Sequence, residues 1–492
     1  MNNLVGGVLG FITLSLIARH LGAEELGVLG FGLSFLGMFT FISNLGFDSS
    51  HNKRVSEGMD LKQCMGAYGT IKVGLTLLMA AFSLLWIQIY VRFFDGFSGN
   101  NEETVVYIFL VYYILWSLSW IPITTFNAQR KQAKAQLPGI IELLVRAPLI
   151  VVLVLTGYGI VWVAGAYAIG ALVLLFVGFI FLRGYRYTLP SREMLSNYAI
   201  FALPMSIISI NAVFYLYMDK LMIGIFWNAE EVGFYYGAQR IIMFVITSSA
   251  AVAILLFPTI SSLHAKGNIK EINLLVSRAE RYLSMLIFPI IALTIALNEP
   301  IIDLILGDEF GDSGMILVFL ALYALLAILN KPYSQVLTGS GRTGLAVRIS
   351  TAIFATNLFL NLAFIPENIG GIALLGLGGL GAAAATFLSD LGRFVLLRKE
   401  SKEIIGSTFH PGPMVKHLLS AAGAAAIMLG VSTLVSSDLS LILLIPELFT
   451  GLIIYLGFLV LLKEFRKEDY EFFMDMVHPG KMGGYILSEI KE

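Results

Sequence analysis

Fourteen segments of the chain are long and apolar enough to cross a membrane, and this pattern constrains the fold more than any other feature. Crossing about 30 Å of hydrocarbon takes about 20 apolar residues in a helix. With 57% hydrophobic and only 13% charged residues, the composition excludes a water-soluble globular fold. The sequence therefore predicts an all-α polytopic membrane protein. The predicted spans lie near residues 3–19, 26–46, 67–91, 103–125, 138–157, 160–182, 199–226, 233–262, 282–306, 314–337, 343–365, 370–397, 415–435 and 440–462.

The basic residues between the spans predict the orientation. Loops after even-numbered spans hold most of the Lys and Arg, whereas loops after odd-numbered spans hold almost none apart from Arg92 and the boundary residue Arg19. The positive-inside rule places the first set in the cytoplasm. With fourteen spans both termini are then cytoplasmic, and we expect a multi-pass protein of the cell (plasma) membrane. The loop cations are Lys53, Arg54, Lys62, Arg130, Lys131, Lys134, Arg183, Arg186, Arg192, Lys266, Lys270, Arg278, Arg281, Arg342, Arg398, Lys399 and Lys402.

A repeated pentapeptide indicates an internal duplication. "AEELG" at 23–27 joins the first two predicted spans, and "AEEVG" at 229–233 joins the seventh and eighth, 206 residues later. A second pair agrees: Pro122 and Arg130 end the fourth span, as Pro332 and Arg342 end the tenth. Because the repeat contains six spans, an even number, both copies have the same topology. Parallel repeats of this kind are typical of transporters, with the substrate site between them.

The repeat predicts the domain organisation. We expect a six-helix N-terminal lobe over 1–190, a six-helix C-terminal lobe over 191–400, and two additional transmembrane helices over 401–463. The remaining residues, 464–492, include the amphipathic stretch "KEDYEFFMDMV" and predict a cytoplasmic tail on the inner membrane surface.

Several classes of function are excluded. A net charge of −1 argues against a nucleic-acid partner. The single Cys64 forms no internal disulfide, and the six histidines lack ligand spacing, so we expect no metal or other cofactor. The longest predicted outer loop, near 92–102, is too short for the extracytoplasmic site of a membrane glycosyltransferase or polymerase. We therefore expect a transporter and not an enzyme.

Three stretches resemble the polysaccharide transporter (oligosaccharide flippase) family: "LIARHLGAEELGVLGFGLSFLGMFTFISNLGFD", "DKLMIGIFWNAEEVGFYYGAQRI" and "LLFPTISSL". The resemblance covers nearly the whole chain. It implies the fold of the multidrug, oligosaccharidyl-lipid and polysaccharide exporters, which is two six-helix lobes around a central cavity, with two extra helices in longer members. One departure is the lead before the first span, which is reduced to "MNN".

The seventh and eighth spans carry the strongest candidate site residues. Asp219 and Lys220 lie about eight residues before their short outer loop and Arg240 about eight residues after it, so all three share roughly one depth in the membrane. Asp219 and Arg240 are expected to pair, which leaves one cation in excess. Either Lys220 extends toward the outer surface and the pair is structural, or Lys220 or Arg240 faces the cavity and binds the phosphates of a lipid carrier.

Two further arginines complete the candidate site. Arg146 follows Glu142 by four residues in the fifth span, a spacing that favours a mutually neutralising pair but leaves a binding role open. Arg19, at the outer end of the first span, is either an interfacial anchor or a substrate ligand.

The sequence therefore predicts a flippase that moves a lipid-linked oligosaccharide from the cytoplasmic to the outer leaflet by alternating access, for cell-surface polysaccharide or glycan biosynthesis. Its partners would be that polyprenyl phosphate or diphosphate lipid, membrane lipids, and glycosyltransferases or a polymerase of the same pathway. The alternative is a cation-coupled multidrug exporter of the related fold, although such an exporter is expected to bury acids in its site.

Overall fold

The computed structural model describes residues 2–94, 96–97, 99–406, 411–432, 437–466 and 469, and these are almost entirely helical. The α-helices are α1 (Asn2–Gly37), α2 (Thr40–Asn44), α3 (Phe47–Ser56), α4 (Leu61–Phe93), α5 (Asn100–Ala128), α6 (Gln132–Leu155), α7 (Ile160–Phe181), α8 (Arg192–Phe226), α9 (Ala229–Ser248), α10 (Ala250–Ala265), α11 (Ile269–Ala296), α12 (Asn298–Ile305), α13 (Ser313–Leu329), α14 (Lys331–Gly339), α15 (Thr343–Phe364), α16 (Gly378–Ile405), α17 (Pro411–Ser432) and α18 (Ser437–Leu461). A 3₁₀ turn covers Asp308–Phe310, and two short strands, β1 (Asn368–Ile369) and β2 (Ile372–Ala373), form an antiparallel hairpin between α15 and α16.

Helix α1 contains two spans that reverse direction at Gly22. This glycine has φ 84° and ψ 179°, a conformation that residues with a Cβ rarely adopt. Both segments lie along α9, because Phe11 before the turn packs on Phe244 and Gly30 after the turn lies against Tyr236. The first two predicted spans are therefore a helical hairpin.

Eleven helices of the described residues are long and apolar enough to cross a membrane. One of these is α1, which is itself a hairpin. Two predicted spans are not among the eleven: the eighth, which coincides with α9 and α10, and the fourteenth, which coincides with α18. The structure is thus compatible with fourteen spans, and it has the predicted all-α polytopic fold.

Several predicted spans are interrupted. The second, 26–46, is split between α1 and α2, and the tenth breaks at Asn330. The eighth breaks at Ser249, where the ammonium of Lys331 contacts the carbonyl oxygen of Ile246 and the hydroxyl of Ser249. The carbonyl oxygen of Ile246 also accepts from the hydroxyl of Ser249 at 2.7 Å, so the lysine adds a further donor at this helix end. The twelfth span begins at Gly378 and not at residue 370, because the β-hairpin occupies the preceding residues.

The two copies of the repeated pentapeptide pack against each other. A Cβ at Gly27 would collide with the carbonyl oxygen of Ala229, and a Cβ at Gly233 would collide with that of Ala23. The contact is therefore reciprocal, and it brings α1 and α9 together at the predicted outer side. We refer to α1–α7 as the N-terminal half and to α8–α16 as the C-terminal half; one large buried apolar cluster includes residues of both.

The halves are also joined at the predicted inner side, by α3 and α8. The hydroxyl of Ser50 donates to the carbonyl oxygen of Tyr198 at 3.1 Å, and a guanidinium nitrogen of Arg54 donates to that of Asn197 at 2.9 Å. His51 lies between the hydroxyls of Tyr198 and Thr125, 3.0 Å from each. These contacts close the predicted inner end of the seam between α3 and α8.

The C-terminal helix pair, α17 and α18, is fixed to the C-terminal half by Arg281 of α11. Its guanidinium contacts a carboxylate oxygen of Glu464 at 2.8 Å and both carboxylate oxygens of Asp469, at 2.7 and 2.8 Å. Lys416 of α17 lies 3.2 Å from the same Glu464. The amphipathic tail predicted over 464–492 lies outside the described residues, apart from 464–466 and 469.

Candidate functional site between the two halves

Arg240 is an exposed cation of α9 that lies near tyrosines of both halves. Eleven residues after the start of α9, it lies roughly 16 Å from the predicted outer end of the helix. Its guanidinium donates to the hydroxyl of Tyr236 at 2.8 Å and lies 4.8 Å from the centre of that ring. The residue is exposed, and it forms no ion pair with a carboxylate in the described part of the chain. Arg240 is thus an accessible cation well inside the membrane-spanning region.

Arg146 and Glu142 form the predicted i, i+4 ion pair on α6 of the N-terminal half. The guanidinium of Arg146 also stacks on Tyr167 of α7, 4.5 Å from the ring centre. The absence of a side chain at Gly170 makes room for the pair, since a Cβ there would lie 2.8 Å from Oε1 of Glu142 and 3.1 Å from Cδ of Arg146. Both charged side chains remain 15–18% exposed.

Tyrosine side chains connect these two groups. The rings of Tyr112 and Tyr167 are 6.0 Å apart, and Tyr167 is within electrostatic reach of both Arg146 and Arg240. Tyr217 of α8 is close to Arg240 and lies 3.5 Å from the hydroxyl of Tyr113. We call the set Tyr112, Glu142, Arg146, Tyr167, Tyr217, Tyr236 and Arg240 the central site. It combines residues from both halves, as expected for a transporter built from two repeats.

Lys220 does not extend toward the outer surface but lies buried next to Tyr217 of the central site, and its role in binding the lipid phosphates stays a prediction. Its ammonium is buried and donates to the carbonyl oxygen of Leu216 and the side-chain oxygen of Gln239, each at 2.7 Å. It also lies 5.9 Å from the ring centres of Tyr217 and Tyr235. The lysine therefore holds α8 against α9.

The predicted pair between Asp219 and Arg240 is not formed. Asp219 is buried and accepts hydrogen bonds from Asn361 at 2.7 Å, from Tyr235 at 2.5 Å and from Thr386 at 3.1 Å. The prediction rested on equal depth, but Asp219 faces α15 and α16 inside the C-terminal half, whereas Arg240 is exposed and contacts Tyr236 of its own helix.

The surroundings of Asp219 offer oxygen ligands for a cation. The side-chain oxygen of Asn361 is buried without a partner among the described residues, and that of Asn357 accepts from Asn361 at 3.2 Å. Carboxylate, amide and hydroxyl oxygens are the ligands that hard cations prefer. Within the described chain, no group of three His, Cys, Asp or Glu side chains could hold a metal ion. The Asp219 cluster could therefore bind a small hard cation or a proton, but it is not a typical transition-metal site.

A cavity of about 560 Å³ leads to this cluster within the C-terminal half. Asp219, Gln239, Thr386 and Arg393 line it, together with Tyr215. Arg393 lies 5.0 Å from the ring centre of Tyr215 and 3.3 Å from the carboxylate of Asp390, so its charge is neutralised locally. The lining is mainly apolar, with these polar side chains set into it, and it belongs to the C-terminal half only.

Arg19 stabilises a helix end. Its guanidinium donates to the carbonyl oxygen of Leu304 at 2.8 Å and to that of Asp303, in the last turn of α12. A cation at a helix C-terminus is favoured by the free carbonyls and by the helix dipole. This geometry supports the anchoring role of Arg19, away from the central site.

The structure thus brings Arg146 and Arg240 together, whereas Arg19 lies at a helix end and Asp219 faces α15 and α16. Lys220 is buried next to Tyr217 of the central site. Sequence reasoning missed two sets of residues. One is the tyrosines of the central site, of which Tyr236 precedes Arg240 by one helical turn. The other is the pair Asn357 and Asn361, polar residues one turn apart in an apolar span, which are the signal that could have revealed the Asp219 cluster.

The model of the family described as "Polysaccharide biosynthesis protein" matches residues 1–264, more than half of the chain. The chain belongs to this family. The membership confirms the resemblance inferred from the sequence motifs. A protein of Haloferax volcanii, the "Probable low-salt glycan biosynthesis flippase Agl15", is 25% identical over 471 residues, which are 95% of this chain and 96% of the relative.

Solved structures of transporters share the fold of this polysaccharide biosynthesis family member. The lipid II flippase MurJ in an inward closed conformation has a TM-score of 0.74 and 17% identity, over 93% of this chain and 96% of MurJ. An inward-facing multidrug resistance MATE family transporter has a TM-score of 0.67 and 16% identity, over 82% of this chain and 96% of that transporter. At these identities the likeness establishes the fold alone.

Proposed function

We propose that this protein is a flippase that moves a lipid-linked oligosaccharide from the cytoplasmic to the outer leaflet. The observation that carries the proposal is Arg240, an exposed guanidinium that lies near tyrosines of both halves and has no carboxylate partner among the described residues. A guanidinium in a site of reduced polarity binds phosphate oxygens in a planar, two-point geometry. Membership of a polysaccharide biosynthesis family, and a flippase as a relative over nearly the whole chain, support a glycan as the cargo.

The proposed mechanism is alternating access, with residues 1–190 and 191–400 as two lobes that rock about the central site. The contacts between α3 and α8 on the predicted inner side are consistent with a conformation closed toward the cytoplasm. The lipid chain would remain in the bilayer while the headgroup occupies the central site. We further propose that the protein lies in the plasma membrane with both termini in the cytoplasm, and receives its cargo from glycosyltransferases of the same pathway or passes it to a polymerase.

Two energy sources are compatible with this geometry. A lipid diphosphate carries about two negative charges, so an inside-negative potential favours its outward movement by roughly 4–5 kcal/mol per 100 mV. Alternatively, a cation or proton bound at the Asp219 cluster couples its own gradient to the movement. The oxygen ligands around Asp219 and the cavity that leads to them support this second source.

A cation-coupled multidrug exporter is the alternative function. The fold shared with MATE transporters and the buried acid Asp219 favour it. The accessible charge in the central site is however positive, which suits an anionic headgroup better than the cations that a site built from acids would bind.

The deciding experiment is reconstitution in proteoliposomes with a short-chain lipid-linked oligosaccharide, with a potassium–valinomycin potential of either sign and with sodium or proton gradients. Headgroup transfer that depends on the protein and is lost in Arg240→Met would support the flippase. Transfer that depends on the potential but on neither gradient would identify the membrane potential as the energy source. Transfer that depends on a sodium or proton gradient, and loses this dependence in Asp219→Asn, would identify the gradient. Efflux of cationic dyes with no lipid transfer would overturn the proposal in favour of the exporter.

A further inference from the structure

The Glu142–Arg146 pair is accessible but electrically neutral, which sets it apart from Arg240. Their ion pair uses Oε1 of Glu142 and Nε of Arg146. Neither side chain forms another hydrogen bond within the part of the chain that the structure describes, so Oε2 of Glu142 and the terminal nitrogens of Arg146 have free bonding capacity. A donor group and an acceptor group thus stand side by side at the edge of the central site.

This arrangement matches the chemistry of sugar hydroxyls. Each hydroxyl both donates and accepts, so adjacent hydroxyls can bond to a carboxylate oxygen and a guanidinium nitrogen together. The rings of Tyr167 and Tyr112 lie beside the pair and offer apolar faces with polar edges, which suit the C–H face of a pyranose. A phosphate would meet the negative charge of Glu142 here, whereas at Arg240 it meets an unneutralised cation.

We infer that the Glu142–Arg146 pair, with Tyr167 and Tyr112, is a saccharide subsite that binds the sugar next to the phosphate, while Arg240 binds the phosphate itself. The inference rests on the proposed function, because it divides the headgroup of the lipid-linked glycan between two parts of the central site. The subsite would favour a neutral sugar, because the charges of Glu142 and Arg146 cancel and offer a uronic acid no net attraction.

Gly170 offers an independent way to disturb the subsite. A Cβ at this position would press on Oε1 of Glu142 and on Cδ of Arg146, and so displace the pair without removing a charge. Gly165 on the same helix has nothing within 4 Å of its own Cβ position. Gly165→Ala is therefore the matched control for Gly170→Ala.

The test measures binding of two probes to the full-length protein in nanodiscs: a short-chain polyprenyl phosphate, and the same lipid with one neutral hexose. Glu142→Leu combined with Arg146→Met removes the polar groups without leaving a lone charge. We expect this variant, and Gly170→Ala to a smaller extent, to weaken binding of the hexosyl lipid at least about tenfold. Binding of the lipid without sugar should stay within about twofold, which also shows that the variants are folded.

Arg240→Met separates the inference from the proposed function on which it rests. We expect this variant to weaken binding of both lipids. Suppose that Arg240→Met weakens binding of both lipids, but the Glu142/Arg146 variant and Gly170→Ala weaken binding of both lipids equally or of neither. The saccharide subsite is then wrong and the flippase proposal stands. If the unaltered protein binds neither lipid, both are wrong.

Discussion

The carboxylate of Asp219 accepts a hydrogen bond of 2.7 Å from the side-chain amide of Asn361, whose own oxygen is buried without a partner among the described residues. A free amide oxygen beside a buried carboxylate provides the oxygen ligands that a small hard cation prefers. This relationship bears directly on the energy source of transport.

We expect Asp219→Asn to abolish any dependence of transport on a sodium or proton gradient. The amide keeps the size of the side chain but removes the charge that a cation would neutralise. Transport rates in proteoliposomes with and without each gradient provide the measurement. Glu230→Gln, at an exposed acid near the start of α9, is the control and should leave the gradient dependence unchanged. A full response to the gradient in Asp219→Asn would exclude the cluster as the coupling site.

Asp219→Asn and Arg240→Gln should act independently of each other. The two side chains contact different residues, so the double variant should lose the sum of the two single effects, within about 0.5 kcal/mol. Initial rates of headgroup transfer in the four proteins of the cycle give the coupling energy. Arg240→Gln alone should lower the rate at least about tenfold, in keeping with roughly 1.5–3 kcal/mol for a hydrogen bond to a charged group. A double variant more active than either single variant would indicate that the two charges interact.

The failure of the Asp219–Arg240 prediction illustrates what a sequence provides for a membrane protein. Span positions and depth follow from hydropathy and from the 1.5 Å rise per residue, and these were largely correct. The direction in which a side chain leaves its helix depends on which helices are neighbours, and depth does not contain that information. The i, i+4 pair of Glu142 and Arg146 was predicted correctly because both residues lie on one helix, where spacing alone fixes the geometry.

The breaks within the predicted spans are the second feature that could not be predicted from the sequence. At the interruption of the eighth span, Ser249 bonds the carbonyl oxygen of Ile246, and Lys331 of a different helix contacts the same oxygen. No local signal of proline or glycine marks that position. The turn at Gly22 was easier to predict from the sequence, because the short acidic stretch after it indicated a hairpin loop.

Gly27→Ala or Gly233→Ala should destabilise the protein severely. A methyl group at either position would collide with a backbone carbonyl of the other half, which cannot move as a flexible side chain can. Overpacking typically costs about 1–3 kcal/mol, and more where backbone is involved. Folded yield and melting temperature report the effect. Gly10→Ala is the control, because nothing lies within 4 Å of its Cβ position, and it should be as stable as the unaltered protein. Equal stability of all three variants would contradict the close contact between the two helices.

Arg281→Met should loosen the C-terminal helix pair. The arginine contacts Glu464 and Asp469, which are 4% and 1% exposed, so its removal leaves two buried carboxylates without their main partner. We expect a fall of roughly 5 °C in the melting temperature. Arg278→Met, at an exposed arginine of the same helix, is the matched control and should change it little.

The stabilisation of the C-terminal helix pair by Arg281 should depend on pH. Burial opposes ionisation of Glu464 and Asp469, but hydrogen bonds from Arg281 outweigh it, so the pKa of each carboxyl lies below its usual value of 4.5 or 3.8. A lowered pKa stabilises the fold above the usual value, and this contribution is lost as the pH falls through the lowered pKa. Stability of the unaltered protein should therefore fall on acidification below about pH 4 more steeply than that of Arg281→Met. Parallel curves would contradict this origin.

The orientation can be tested by labelling in intact cells. In a Cys64→Ser background, Glu230→Cys should react with a membrane-impermeant maleimide and Ala133→Cys should not, because the loop charges place 230 outside and 133 inside. Both positions are exposed, so a difference in labelling reports sidedness and not burial. The opposite pattern would reverse the orientation.

The reciprocal contact of Gly27 with Ala229 and of Gly233 with Ala23 means that both halves present the same surface where they meet. A contact of this kind is isologous, the type that joins two identical subunits around a two-fold axis. We propose that the chain is a permanently linked dimer whose two members have different interiors: an ion-paired Arg146 in one and an Asp219 cluster in the other. Severing the connection between α7 and α8 should therefore leave two fragments that reassemble when they are produced together.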